Sequence, residues 1–269
     1  MILLNKINAS VQDTKVLYQN PFNTSSSLNQ LLSKTIRVSV APARMCIGCK
    51  KSVKKVQGGY CYRCSQTLAC CDLCILKPHL CHFHKGTCRE PAWGEKHCFA
   101  NHVVYLSLTS SFKVGITRAH QFLTRWVDQG ASQAAILASV PTRLKAGLLE
   151  NELAKNFNDK TNWRHLLTGQ QISSESFGIE FSKLQALVRK QTLVAQQEID
   201  LHPMKIQFLE YPVEKFLEKA KSINLDKTPF FEDKLVGIKG QYLLFENTGG
   251  LNMRKYQGYD ITLELVDAK

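Results

Sequence analysis

The chain has 269 residues, enough for one large domain or two to three small ones with cores of their own. Apolar residues make up 44% and charged residues 21%, which excludes a disordered, collagen-like or membrane-embedded chain. The net charge of +13 is concentrated toward the front: residues 1–100 carry an excess of +10, residues 101–170 of +4 and residues 171–269 of −1. This asymmetry favours a polyanionic partner, nucleic acid (DNA or RNA) before others, because clustered Lys and Arg displace condensed counterions from phosphates. No apolar run approaches the roughly 20 residues of a membrane-spanning helix, and none follows Met1, so no membrane partner and a cytoplasmic address are expected.

In residues 1–45 a Ser/Asn-rich loop, Asn20 to Asn29, precedes a β-prone run from Lys34 to Val40. The next segment, 46–101, holds all 10 cysteines. In a reducing compartment such crowding indicates metal ligation more than disulfides. Cys46-x2-Cys49 and Cys61-x2-Cys64 are two knuckles separated by eleven residues, close to the spacing of zinc ribbons, in which two short hairpins offer four thiolates to one tetrahedral ion. Gly48 sits inside the first knuckle, where a tight turn must aim backbone N–H groups at sulfur.

A third knuckle, Cys71-x2-Cys74, is followed by Cys81, His82, His84 and Cys88, and then by His97, Cys98 and His102. Cys71, Cys74, Cys81 and Cys88 are the expected second structural zinc site, with His82, His84 and Cys98 as alternatives for the last two positions. Cys70 is not expected to be a ligand, since adjacent cysteines seldom face one ion. Two Zn²⁺ are therefore the expected cofactors, and they serve as scaffolding, because no helical His-Glu-x-x-His pattern is present. Few large aliphatic residues lie between 46 and 98, so this segment should fold largely on metal.

From His102 the pattern changes. Val103 to Leu106 and Phe112 to Thr117 read as hairpin strands around Thr109–Ser111. Gln121 to Gln129 reads as a short helix ended by Gly130, Ala134 to Val140 as a third strand, and Thr142 to Phe157 as an amphipathic helix. This β-β-α-β-α order, with Val103-Val104-Tyr105 and Lys113-Val114-Gly115 in the places of its two short motifs, resembles the GIY-YIG endonuclease superfamily over about residues 102–165. Arg125 matches that superfamily's helical arginine, Glu150 its helical glutamate and Asn162 its later asparagine. Lys113 stands where a second tyrosine is usual. The whole chain also looks like a bacterial family of unknown function that joins a cysteine-rich front end to such a core. The stretches that carry this likeness are Cys88–Gly94, Lys113–Arg118, Asp159–Arg164 and Gly237–Tyr242.

The resemblance implies phosphodiester hydrolysis, with Tyr105 helping to activate water, Arg125 facing the phosphate and Glu150 holding one Mg²⁺ or Mn²⁺. That chemistry suits the residue types: a cation against equatorial charge and a divalent ion behind the leaving oxygen. Lys113 cannot replace a tyrosine hydroxyl but can contact phosphate. On a helix, Glu150 shares a face with Ala146, Leu153 and Ala154, which makes it the carboxylate held at a packed surface, while Glu152 is solvated.

Residues 171–200 read as a helical connector carrying Phe181, Leu184, Leu187 and Val188. Residues 201–269 are strand-rich, with runs at 205–211, 235–238, 242–245 and 261–266 and a turn at 246–250. A small barrel or sandwich is expected there, completed by the N-terminal strand. The fold class is thus α+β: a zinc-ribbon-like module over 46–101, a GIY-YIG-like core over 102–170 and a β-rich C-terminal domain. The expected nucleic-acid surface is Lys50, Lys51, Lys54, Lys55 and Arg63 on the ribbon with Lys113, Arg118 and Arg125 on the core. The competing function is a non-enzymatic zinc-binding adaptor for a protein partner.

Overall fold

The structure, a computed structural model, describes residues 6–22, 26–155, 157, 162–195 and 199–266. Parts of the Asn20–Asn29 loop and of the Asp159–Arg164 stretch lie outside these. A hairpin, β1 (Ala9–Gln12) and β2 (Lys15–Tyr18), precedes β3 (Thr35–Met45) and β4 (Ser52–Val53). The cysteine-rich segment contains α1 (Tyr62–Thr67), a series of single 3₁₀ turns, and α2 (Pro91–Cys98). Then come β5 (His102–Leu108), β6 (Phe112–Arg118), α3 (Phe122–Asp128), β7 (Gln133–Val140), α4 (Arg143–Ala154), α5 (Trp163–Thr168) and α6 (Phe177–Ala195). The chain ends in β8 (Asp200–Leu201), β9 (Gln207–Phe208), β10 (Phe230–Lys239), β11 (Tyr242–Phe245), β12 (Gly249–Asn252) and β13 (Tyr259–Leu265). This is the α+β class read from the sequence.

One antiparallel sheet has the order β6-β5-β7, with β8 and β9 both paired to β7. All seven residues of β5 are buried, which explains why its sequence is nearly continuously apolar: both faces are covered. Val104, Leu106 and Leu108 face Leu149 and Leu153 of α4 and Phe177, Phe181, Leu184 and Val188 of α6. The helix expected as a connector is therefore a layer of the core. Leu187, on its other side, is 37% exposed.

Val103 and Tyr105 point the opposite way, into a core shared with Trp126 and Val127 of α3 and with Leu235, Ile238, Phe245 and Ile261 of the second sheet. That sheet runs β12-β11-β10-β3-β13, so the N-terminal strand β3 lies between two C-terminal strands, with β4 added to its end. It is open, where a small barrel or sandwich was expected. Its apolar face is covered by α3, the β1–β2 hairpin and the first sheet, so burial does not require closure. Asp233 ties down the β11–β12 turn by accepting hydrogen bonds from the N–H groups of Asn247 and Thr248 and from both side chains.

The cysteine-rich segment docks on α4. A Cβ at Gly147 would stand 2.4 Å from the backbone of Pro78 and His79, so only glycine lets this turn lie against the helix. Arg143, the first residue of α4, reaches across to donate to the Ile75 carbonyl at 3.1 Å. No helix among the described residues is long and apolar enough to cross a membrane.

Candidate functional site

The donor atoms of Cys46, Cys49, Cys61 and Cys64 all lie within 4.8 Å of one another. Zn–S bonds of about 2.3 Å in a tetrahedron give S···S edges of roughly 3.8 Å, so the cluster is of the right size for one ion. Cys49 and Cys61 sulfurs are 3.9 Å apart, and the Cys61 N–H donates to Cys46 Sγ at 3.2 Å. Burial resists ionisation of Cys46, but the N–H groups of Cys61, Cys49 and Gly48 outweigh it and bring the thiol down to about 6. Burial, together with hydrogen bonds to the other three sulfurs, pushes Cys64 up to about 12. Four thiols this close cannot all ionise unless a cation joins them, and soft sulfur donors in a tetrahedron suit zinc.

The remaining cysteines divide differently from the sequence expectation. Cys74, Cys81 and Cys98 are buried against one another, and Cys88 lines the same small cavity. Cys71 does not join them. It ends the 3₁₀ turn Ala69–Cys71, which an extended Asp72 closes, and its sulfur lies 4.0 Å from that of Cys70, which donates to Tyr60 Oη at 3.3 Å.

Where the segment meets the core, a cavity of about 380 Å³ opens, within the size range of small-ligand sites. One wall is Cys70, Ile75, Leu76, Pro78, Trp93 and His97 from the cysteine-rich side. The rest carries Arg118 from β6, Arg125 from α3, Arg143 from α4 and Arg254 from the turn after β12, with Glu150 the sole carboxylate among the described lining residues. Desolvation and the proximity of Arg143 hold Arg118 below the ordinary arginine range, and desolvation together with Arg125 does the same for Arg254. His102 is brought down to about 4 by burial and then by Arg143 and Arg118, although the Ala100 carbonyl, 2.6 Å from Nδ1, acts against this. Among the described residues none of the four arginines forms an ion pair with a carboxylate.

Tyr105 lies immediately behind this cavity. Its ring covers Gly115, its β6 partner, where a Cβ would come within 2.6 Å of the hydroxyl. The hydroxyl donates to Gln129 Oε1 at 2.9 Å. Burial raises the phenol above its ordinary value, against the opposing effect of Arg125, and Glu150 is close enough to add to the rise. Tyr105, Arg125 and Glu150 are thus neighbours, but Tyr105 is fully buried and does not line the cavity.

The other expected residues lie elsewhere. Lys113 pairs with Ser107 toward the β5–β6 turn, and Asn162 caps α5, its side chain accepting from Arg164 N–H and its own N–H donating to Ser110 Oγ at that turn. The cavity is toward the other end of the hairpin, where Ile116, Thr117 and Arg118 line it, roughly 10–17 Å from Lys113 along β6. Lys50, Lys51, Lys54, Lys55 and Arg63 are exposed on the knuckles, outside the cavity lining. Sequence reading missed Arg143 and Arg254, and it placed His102 only among the later histidines of the cysteine-rich segment. Arg143 carried a signal: a cation in the first turn of a helix opposes the macrodipole, a local disadvantage that calls for another reason.

The chain belongs to the DUF2797 family, described as proteins of unknown function, which it matches over residues 33–261. No curated protein and no solved structure matches it.

Proposed function

We propose that this chain binds nucleic acid, seating backbone phosphates in the arginine-lined cavity, and that zinc on Cys46, Cys49, Cys61 and Cys64 supports the segment that forms its outer wall. The observation that carries this reading is the convergence of Arg118, Arg125, Arg143 and Arg254 on one space, none of them in an ion pair with a carboxylate among the described residues. Partly desolvated guanidinium groups that repel one another are stabilised when an anion fills the space between them, and their planar forks suit phosphate. The front-loaded positive charge and the exposed lysines of the knuckles would add longer-range attraction.

Binding of labelled single-stranded and duplex DNA and RNA across a salt series tests this. Affinity should fall steeply with salt. Arg118→Ala and Arg254→Ala should each weaken binding by about tenfold and lower the salt slope by about one. Absence of binding at low salt to all four probes overturns the reading and leaves a protein adaptor, for which the exposed Tyr62, Leu73, Leu76 and Phe99 would be the contact surface.

Phosphodiester hydrolysis is the second reading, favoured by one observation: Glu150 faces the same cavity as Arg125. Glu150 would hold Mg²⁺ or Mn²⁺ and Arg125 would meet the phosphate, as the resemblance to GIY-YIG enzymes implies. Tyr105, buried behind them, would act by positioning Arg125. Metal-dependent nicking that disappears in Glu150→Ala supports this, and equal nicking by both proteins rules it out.

A further inference from the structure

The geometry points to a second metal site in this protein, made by Cys74, Cys81, Cys88 and Cys98 and suited to zinc or another thiophilic divalent ion. These four residues come from four separate short elements. Cys74 sits in the 3₁₀ turn Leu73–Ile75, Cys81 follows the turn Pro78–Leu80, Cys88 follows the turn Phe83–Lys85, and Cys98 is the last residue of α2. Among the described residues no strand pairing ties these elements together, and the partly buried apolar residues packed on the three inner cysteines are Phe83, Trp93 and Leu144. Cys74, Cys81 and Cys98 are nonetheless 8%, 5% and 4% exposed. A cross-link supplied by an ion accounts for such burial where apolar area does not.

The cavity between them has a volume of about 10 Å³, close to one atom-sized sphere, and Cys88 completes its thiol lining. A buried free cysteine is commonly just a small apolar residue. Apolar packing does not, however, explain why Asp72, His82 and Arg89 line the same cavity. Four thiolates around a divalent cation leave a net charge of −2, and Arg143, which lies near Cys74, Cys81 and Cys98, would balance part of it.

Asp72, Cys74 and His82 lie within 4.8 Å of one another, closer than any three of the four thiols, but this trio is a charge bracket around the cavity that the thiols line. Asp72 accepts from Arg89 Nε at 2.8 Å and from Cys74 N–H at 3.0 Å. His82 has Nδ1 on Thr87 Oγ1 at 2.8 Å and Nε2 turned to Asp72 at 3.6 Å. With both ring nitrogens facing other partners, His82 is the poorer fourth ligand and Cys88 the better one.

Elemental analysis of the full chain, purified under reducing conditions without chelator, tests the site by counting zinc. Two equivalents per chain are expected. Cys81→Ser and Cys98→Ser should each retain one, whereas Cys71→Ser should retain two. Because a serine variant can fail to fold, the wild-type protein provides an independent readout: alkylation followed by mass spectrometry should show Cys74, Cys81, Cys88 and Cys98 protected, and chelator should expose all four. One equivalent of zinc in wild type, a disulfide between any of these four cysteines, or alkylation unaffected by chelator overturns the proposal. Retention of two equivalents by Cys88→Ser with loss of one in His82→Ala overturns the ligand set.

Discussion

Between Cys46 and Cys98 the fully buried residues are five cysteines, two glycines and Ala69; no large aliphatic or aromatic side chain is among them. A few residues later, β5 buries His102, Val103, Val104, Tyr105, Leu106, Ser107 and Leu108 without a gap. Adjacent regions of one chain therefore draw on different sources of free energy. The sheet gains from apolar area, on the order of 2 kcal/mol for each large side chain buried. The cysteine-rich segment buries almost no such area, and the four clustered thiols of Cys46, Cys49, Cys61 and Cys64 could supply ligation in its place. Gly147 and Arg143 join the two, so the cavity between them depends on both.

Removing metal should break this comparison open most widely. A structural zinc contributes on the order of 10 kcal/mol at neutral pH, so chelation should abolish amide protection across 46–98 while amides of 102–140 keep theirs in hydrogen exchange. Equal loss in both would mean that the sheet does not stand on its own burial. Conversely, Leu106→Ala, which empties space beneath α4 and α6, should lower global stability by about 2–5 kcal/mol in denaturant unfolding, with or without bound metal.

The seam itself offers a pH test. His102, at the start of β5, is held neutral by burial and by Arg143 and Arg118, with a value of about 4. The unfolded chain binds a proton there near pH 6.5, so between those values the unfolded state carries more protons and stability falls as pH is lowered. Fully expressed, the shift is worth about 3 kcal/mol. Unfolding curves at pH 7 and pH 4.5 should show a smaller acid loss for His102→Gln than for wild type; identical losses would show that His102 charges freely.

The legibility of these regions in the sequence follows from how far each feature reaches along the chain. The first four-cysteine cluster was legible because two local knuckles carry all its thiols, and the strands and helices from 102 to 154 were legible because their periodicity is local. The burial of Cys98, and not Cys71, with Cys74 and Cys81 was not, since the placing of α2 beside the preceding 3₁₀ turns decides which cysteines share a cavity. Arg254 was hidden by averaging: it sits in a stretch of net charge −1, and only the insertion of β3 between β10 and β13 sets the frame that brings its turn to the cavity. Lys113 and Asn162 illustrate the limit of matching short motifs by order, since residues correctly placed in sequence fall at the far end of the hairpin.

The smallest expected effect separates positioning from direct contact at Tyr105. Tyr105→Phe keeps the ring over Gly115 and removes the hydrogen bond to Gln129, so stability should drop by about 1 kcal/mol. Because the hydroxyl is buried and outside the cavity lining, salt-dependent nucleic-acid affinity should change by less than about threefold, whereas Arg125→Ala should weaken it by about tenfold. A loss in Tyr105→Phe as large as that in Arg125→Ala would place the phenol in contact with the ligand and require the cavity to open inward past Arg125.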